Sequence, residues 1–256
     1  MTPHPLRWLA LVALHKATLP SFEEVAAWYA GHYLQAPPLR ASGGTENLLT
    51  LTVGEFTAAA TLVPRPIPPG QLEGPAETAW YWPQAAAELS RQAAHVLVTL
   101  VDEGGRNTDK ALALTRLTAA VAATAPSVGV LWGPGRLVHP PGAFIDQTAT
   151  ASVHSLPLFL WVDFRVEQIE AGVRLFTTGL EALGASELEV PHYEGDPQEL
   201  LRFVYNIAHY QLDRRKVISE GDSIGVTDHV QATAHRGPSM LGGDLEVIRL
   251  DFEASA

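Results

Sequence analysis

The chain has 256 residues, of which 46% are hydrophobic and 18% are charged, so it can bury a sizeable core as one large domain or as two packed halves. Its 17 basic and 28 acidic side chains give a formal net charge of −11, which disfavours binding to nucleic acid. The chain has no cysteine, which excludes disulfides, thiolate metal sites and cysteine nucleophiles. No apolar run reaches the ~18 residues of a membrane span, so we expect a cytoplasmic protein that does not bind membranes.

The first half alternates strand and helix patterns. A capping box begins the first helix, because Ser21 can accept the N–H of Glu24 while the Glu24 side chain reaches back. The predicted strands span residues 8–16, 48–53, 56–63, 95–101 and 128–132; the predicted helices span residues 21–36, 78–92 and 108–124, and residues 64–69 form a proline-rich loop. This order predicts a ferredoxin-like α+β layer, with helices on one face of a mainly antiparallel sheet.

The middle of the chain contains a short apolar run that a glycine-rich turn stops. Residues 128–132 have the composition of a buried strand, and Gly133-Pro134-Gly135 ends it. The following Pro140-Pro141-Gly142 can neither extend a helix nor donate to a central sheet at the prolines, so it is interpreted as a connector. We therefore expect a first α+β half over residues 1–145 and a second over residues 146–256, packed as one globular unit.

The second half has four strand patterns and one helix pattern. The helix begins with Asp196 as the cap and Pro197 at the first helical position, and it runs to about residue 213. Its predicted apolar face contains Leu200, Phe203 and Ile207. The predicted strands span residues 156–167, 172–178, 226–236 and 245–252. This half is also expected to be a mainly antiparallel sheet with a helix on one face.

One short motif matches a catalytic pattern. Residues 221–225 read G-D-S-I-G, the G-x-S-x-G of a nucleophile elbow, and Asp228 and His229 follow Ser223 closely. An elbow needs a strand before the serine and a helix after it, whereas here a helix precedes and a strand follows. The motif therefore indicates a turn. A hydrolase that assembles Ser223, Asp228, His229 and Glu187 remains the alternative.

Histidines at short spacings are candidate metal ligands. His229 and His235 share one strand, and six residues of extended chain separate them by about 20 Å, too far for one zinc ion. His209 and Asp213, four residues apart on a helix, could bind a metal with a third ligand, although a surface hydrogen-bonded pair is the commoner arrangement. Gly133-Pro134-Gly135 lacks the rest of a phosphate-binding motif. We expect neither a metal nor a cofactor.

Aromatic and acidic side chains supply the candidate binding residues. Trp80, Tyr81 and Trp82 cannot all point inward from one helical turn, so one of them is expected to line a groove or interface. Trp132 and Glu187 complete the candidate set. Glu187 and Glu189 share one face of a strand, which we expect to be solvated rather than a catalytic carboxylate pair.

Several segments together resemble a known family. Residues 128–132, Pro140-Pro141, residues 176–180 and residues 183–190 are similar to an uncharacterised bacterial family, domain of unknown function 4261, and the resemblance spans about residues 9–252. It implies a soluble bacterial α+β protein and transfers no catalytic residue. Families of this kind also occur near toxin and secretion systems, which indicates a binding or immunity role by analogy.

The hypothesis from the sequence is a non-catalytic factor that binds another protein, of the immunity or accessory type. It depends on the acidic charge, the aromatic cluster and the lack of a complete catalytic motif. The alternative is a hydrolase or metal-binding enzyme with a noncontiguous site in the second half.

Overall fold

The chain folds into two compact units, residues 1–161 and residues 162–256. A computed structural model describes residues 8–101, 104–214, 216–227 and 229–254. Both units are sheets of mainly antiparallel strands with helices, and this confirms the α+β class. Within the described ranges, no helix is both long and apolar enough to cross a membrane.

Unit 1, residues 1–161, is a seven-stranded antiparallel sheet with the order β2-β3-β4-β5-β1-β6-β7. Its strands are β1 (Leu9–Leu14), β2 (Leu39–Thr45), β3 (Leu48–Val53), β4 (Phe56–Val63), β5 (Ala94–Leu100), β6 (Ser127–Trp132) and β7 (Leu137–His139). Its helices are α1 (Phe22–His32), α2 (Pro69–Thr78), α3 (Ala85–Leu89), α4 (Asn107–Thr124), α5 (Pro141–Thr148) and α6 (Leu158–Trp161). The elements β1, α1, β4, β5, α4 and β6 follow the predicted ferredoxin-like order.

Helices cover both faces of the unit 1 sheet. Leu11 and Ala13 of β1 pack in one apolar cluster with Trp82 and with Leu89 of α3. The alternate β1 residues, such as Val12, are equally buried and face the side where α4 contacts the sheet. The structure thus adds a second helical layer to the one-sided arrangement that the sequence predicts.

The second layer explains why the helix predicted within residues 78–92 is shorter in the structure. The helix α2 ends at Thr78, residues 79–84 form a turn that contains Trp82, and α3 covers only Ala85–Leu89 of the Ala-rich pattern. A Cβ on Gly129 would lie 2.4 Å from Leu89 Cδ2 and 3.2 Å from Trp82 Cη2, so the two side chains contact the bare backbone of β6. This close packing requires a turn that places Trp82 inward, and α3 begins only after that turn.

The predicted connector at Pro140-Pro141-Gly142 is also wrong, because α5 begins there. Pro140 is the cap residue of α5 and Pro141 occupies its first helical position, where the missing N–H costs nothing. Residues 158–161, predicted as part of a strand, form the helical turn α6 instead. Trp161 Nε1 donates to Thr115 Oγ1 of α4 at 2.8 Å, which fixes this turn in the core of unit 1.

Unit 2, residues 162–256, is a six-stranded sheet with the order β11-β12-β13-β10-β9-β8. Its strands are β8 (Asp163–Ile169), β9 (Gly172–Thr178), β10 (Leu188–Tyr193), β11 (Ser223–Thr227), β12 (Val230–Pro238) and β13 (Glu246–Ala254), and its helices are α7 (Leu180–Leu183) and α8 (Pro197–Arg214). β10 and β13 are parallel and the other pairs are antiparallel. α8 packs against β8, β9 and β10.

A buried histidine makes the stability of unit 1 depend on pH. Burial lowers the pKa of His139 from its ordinary value of 6.5 to about 4, and its Nε2–H donates to the Leu160 carbonyl at 3.2 Å. Because the unfolded chain takes up the proton first, this stability is complete above pH 6.5 and is lost as the pH falls towards 4. Between pH 7 and pH 5 we expect a loss of about 2 kcal/mol from this residue.

The measurement is urea unfolding followed by tryptophan fluorescence, which reports unit 1 alone because all six tryptophans precede residue 162. His139→Gln keeps a neutral side chain with an N–H donor, so its stability should fall about 2 kcal/mol less over this pH range. Equal losses in the two proteins would contradict the assignment.

Candidate functional site

The candidate site lies on unit 2 and is built first by α8. The Gln198 N–H donates to Asp196 Oδ1 at 2.9 Å, and Leu200, Phe203 and Ile207 are buried against the sheet, as the sequence predicts. Tyr210 lies one turn beyond Asn206 and is 41% exposed. The helix therefore covers the sheet with one stripe and presents a partly exposed aromatic ring beside it.

Strand β11 is the other wall of the site, and it is a sheet edge. It pairs with β12, with Ile224 opposite Ala232, and has no neighbour on its other side among the described residues. Ala234 bonds to the segment before β11 through both its N–H and its carbonyl. Backbone groups alternate in direction along an antiparallel ladder. The N–H and carbonyl groups of Ile224 therefore point towards β12, and those of Ser223 and Gly225 point outward.

A groove of about 370 Å³ separates α8 from β11. Ile207 and Tyr210 line it from the helix, and Ile224 and Val226 line it from the strand. Lys216, which also lines the groove, places its Nζ 5.9 Å from the centre of the Tyr210 ring. Its volume lies within the range of pockets that take small molecules or side chains.

The other sheet edges in the described part of the chain are protected against pairing. β2 is glycine-rich and shifts register between Ala41 and Gly43. β7 has three residues, and β8 carries charged side chains in ion pairs, such as Arg165 with Asp163. Short strands, irregularities and edge charges are the usual means of blocking strand addition. β11 has uncharged residues, and its register shift lies between Gly225 and Thr227, at the end of the strand that leads to β12.

The predicted aromatic cluster divides between surface and core. Trp80 is 63% exposed and packs edge-on against the Tyr81 ring. The Tyr81 hydroxyl donates to the Val138 carbonyl of β7 at 2.9 Å, and its ring stacks on His139. Tyr81 thus satisfies a backbone group at the free edge of unit 1. Trp80 stays a predicted contact residue.

Three other predicted binding residues are internal. Trp82 belongs to the apolar cluster of unit 1, and Trp132 is fully buried and stacked on Trp161. Glu187 is buried in unit 2 and accepts hydrogen bonds from Thr177 Oγ1 at 2.7 Å and from the Gly179 N–H at 2.7 Å. The structure therefore places all three side chains inside the cores of the two units.

The expectation that Glu187 and Glu189 form a solvated face is wrong. Burial raises the pKa of Glu187, and the hydrogen bonds from the Glu181 N–H, Thr177 and the Gly179 N–H oppose this effect. Glu189 is 1% exposed and accepts from Ser239 Oγ at 2.6 Å and from the Met240 N–H. Each carboxylate accepts hydrogen bonds from a loop and so connects that loop to β10. These hydrogen bonds offset the cost of burying the carboxylate.

Three members of the alternative enzyme site, Ser223, His229 and Glu187, belong to the described residues, and they lie apart. Ser223 begins the edge strand β11, and His229 follows the far end of that strand, about 13 Å along an extended chain. Glu187 precedes β10, three strands away from β11, or about 14 Å. Asp228 lies outside the described residues. Gly221 has a φ of 77° in the turn before β11, so the G-x-S-x-G segment is a turn and a strand, as predicted.

The histidines also remain apart. Within the described ranges, no group of three or more His, Asp or Glu side chains is placed to hold a metal ion. His209 and Asp213 lie one turn apart on α8, and His235 Nδ1 lies 3.0 Å from Glu220 Oε1. The hydrogen bond to Glu220 raises the pKa of His235. When the His235 ring is protonated, it forms an ion pair with the Glu220 carboxylate.

Sequence reasoning missed the groove residues Tyr210, Lys216, Ile224 and Gly225. A local signal exists, because a short uncharged run with a glycine follows a turn and precedes a longer strand pattern. That signal does not show which strand is at the edge, since this depends on β13 joining β10.

The Glu187 network leads to a prediction about unit 2. In Glu187→Gln one acceptor oxygen is replaced by a donor amide that faces the N–H and O–H donors, so we expect a loss of about 2 kcal/mol of stability. Amide hydrogen exchange measured over residues 172–190 should accelerate, whereas unit 1 should not change. Glu181→Gln is the matched control, because its side chain is exposed. Unchanged protection in Glu187→Gln would show that the network is dispensable.

The comparisons with known proteins concern the same unit. Residues 176–251 match a family model described as "Domain of unknown function (DUF4261)". The matched segment contains α8 and β11, the two walls of the groove. Searches of curated protein sequences and of solved structures found no significant match. The resemblance to this family of unknown function is therefore confirmed over residues 176–251 of the chain.

Proposed function

We propose that the protein is a non-catalytic binding factor that adds an extended segment of a partner protein to the free edge of β11. The observation that carries this proposal is the unpaired edge strand beside an apolar groove. Strand addition of this kind uses main-chain hydrogen bonds for affinity and side-chain pockets for specificity.

The backbone supplies the first part of the recognition. The outward N–H and carbonyl groups of Ser223 and Gly225 match the spacing of a partner strand, which bonds at every second residue. Neither residue places a large side chain in the way, since a Cβ added at Gly225 meets no atom within 4 Å. A partner backbone can therefore approach the edge directly.

The groove supplies the second part. Side chains of an extended segment alternate between faces, so every second residue of the partner points towards α8. Ile207, Tyr210 and Ile224 offer an apolar wall there, and a partly exposed tyrosine that lines a groove is a common energetic anchor. An apolar or aromatic partner residue fits this position.

The charge of the groove limits the composition of the partner segment further. Of the described residues that line it, Lys216 is the charged one and none is acidic. The whole chain has a net charge of −11, which repels a strongly acidic partner at long range. The partner segment that fits is therefore mainly apolar with a single acidic residue beside Lys216.

The proposed setting is an accessory or immunity-type role in the bacterial cytoplasm. The absence of cysteine is compatible with a reducing compartment. Immunity and accessory factors act by occupying a partner, which requires a recognition surface and no catalytic group.

The test is a selection from a displayed library of random 12-residue peptides on the immobilised protein. We expect enriched peptides with apolar residues at alternate positions and one acidic residue. Backbone NMR shifts on titration of a synthetic selected peptide should map to β11 and α8. Selection of peptides without this pattern, or shifts confined to unit 1, would refute the proposed function.

Gly225→Pro tests the backbone part. Proline removes the outward N–H yet leaves the ladder with β12 intact, because edge positions tolerate it. We expect the selected peptide to bind at least about tenfold more weakly, which is about 1.4 kcal/mol. Gly225→Ala keeps the N–H and should bind normally. Ser223→Ala should also bind normally, whereas a hydrolase that used this hydroxyl would lose its activity.

Lys216→Glu tests the charge part. Reversal of this charge should weaken binding of the acidic peptide severalfold, and the difference should shrink at high salt because screening acts on exposed charges. Arg214→Glu makes the same change in net charge outside the groove lining and should have little effect. Equal effects of the two substitutions on the measured dissociation constant would argue against a local role for Lys216.

A further inference from the structure

A second pocket lies within unit 1 and is independent of the proposed function. It has a volume of about 310 Å³ and is bounded by α1, the β3–β4 hairpin and α4. Its apolar lining includes Val53, Phe56, Leu112 and Val153. This volume corresponds to a small organic molecule.

Two residues of the lining each carry a buried polar atom that has no hydrogen-bond partner among the described residues. Tyr29 is 1% exposed, and its hydroxyl makes no hydrogen bond. Arg116 donates through Nη2 to the Ala151 carbonyl at 2.8 Å, but its buried Nε has no partner. By contrast, the neighbouring Tyr33 hydroxyl is hydrogen-bonded to Thr148 Oγ1. Buried groups without a partner are rare and costly, so the pair at Tyr29 and Arg116 indicates a missing acceptor.

Tyr29 and Arg116 are both protonated, so each can donate a hydrogen bond to an acceptor. Burial raises the pKa of Tyr29, and the Arg116 charge opposes this effect. The phenol is thus protonated at neutral pH and can donate, and the guanidinium Nε–H is always a donor. An oxygen that carries negative charge is the acceptor that two such donors bind best.

The pocket also contains two carboxylates, and they limit the ligand. Asp109 Oδ2 lies 3.9 Å from Arg106 Nε, and Glu55 lies exposed in the turn of the β3–β4 hairpin. Both disfavour a ligand with several negative charges. A single carboxylate at the buried donors, followed by an apolar body against Phe56 and Leu112, meets both conditions.

We propose that this pocket binds a small monocarboxylate with an apolar body, whose carboxylate accepts hydrogen bonds from Tyr29 Oη and Arg116 Nε. An ordered water between the two donors is the rival occupant, and the experiments below distinguish it.

The first experiment compares acids with their amides by isothermal titration calorimetry and ligand-observed NMR. The probes are hexanoate, benzoate and phenylacetate, and the matched neutral probes are hexanamide, benzamide and phenylacetamide. At least one acid should bind ten times or more as tightly as its amide. Equal binding of each acid and its amide, or no acid binding at millimolar concentration, would overturn the proposal and favour a water.

The second experiment uses Tyr29→Phe, with Tyr33→Phe as the matched control. Tyr29→Phe should weaken binding of the acid at least tenfold and leave the urea midpoint of the unliganded protein unchanged or higher, because its hydroxyl has no partner. Tyr33→Phe removes a buried hydrogen bond, so it should lower that midpoint and keep the preference for the acid. A lower midpoint in Tyr29→Phe, or a preference for the acid that survives there, would show that the hydroxyl has another role.

Arg116→Lys completes the set. Lysine keeps the positive charge but cannot present a donor at the position of Nε. We expect the preference for the acid over the amide to fall at least tenfold. An unchanged preference would show that charge alone binds the acid, and it would contradict the assignment to Arg116 Nε.

Discussion

The constraint on which this structure depends is that every backbone N–H and carbonyl at a sheet edge must be paired, covered or left to water. In unit 1 the edge strand β7 meets this constraint through Tyr81, whose hydroxyl donates a hydrogen bond to the Val138 carbonyl. In unit 2 the edge strand β8 carries ion pairs such as Arg165–Asp163, and these charges disfavour the addition of another strand. β11 is left to water, and the same unpaired groups that water satisfies can be transferred to a partner strand at little cost.

Much of the local structure could be predicted because its causes are local. The capping box at Ser21 and Glu24 is present, with the Glu24 N–H donating to Ser21 Oγ at 3.2 Å, and the apolar stripe of α8 is buried. The failures have distant causes. Trp82 turns inward because Gly129, some 47 residues later, leaves room for it, and no pattern near residue 82 records this. The pattern at Pro140 and Pro141 predicts a connector, whereas both prolines are compatible with the start of a helix.

The candidate site was less predictable than the fold, for the same reason. The sequence pattern predicts a surface position for Glu189, because the partners Ser239 and Met240 lie about 50 residues away in the sequence. The pattern around Tyr81 likewise gives no sign of its hydrogen bond to Val138, which lies 57 residues further along the chain. Exposed edges and buried carboxylates are both products of strand order, which a single sequence specifies only through the sum of its packing. The sequence shows which residues are of a reactive type, but it does not show which residues surround them in the fold.

The two sites rest on different segments of the chain, and this allows their roles to be separated. Both walls of the groove fall within residues 176–251, the segment that matches the family, whereas every lining residue of the unit 1 pocket precedes residue 154. All six tryptophans also lie in unit 1 and report on it without interference from unit 2. A change that acts on peptide binding alone, or on carboxylate binding alone, can therefore be assigned to one unit. If occupation of one site altered affinity at the other, the two would have to share a coupled equilibrium, and by linkage the effect would be equal in both directions.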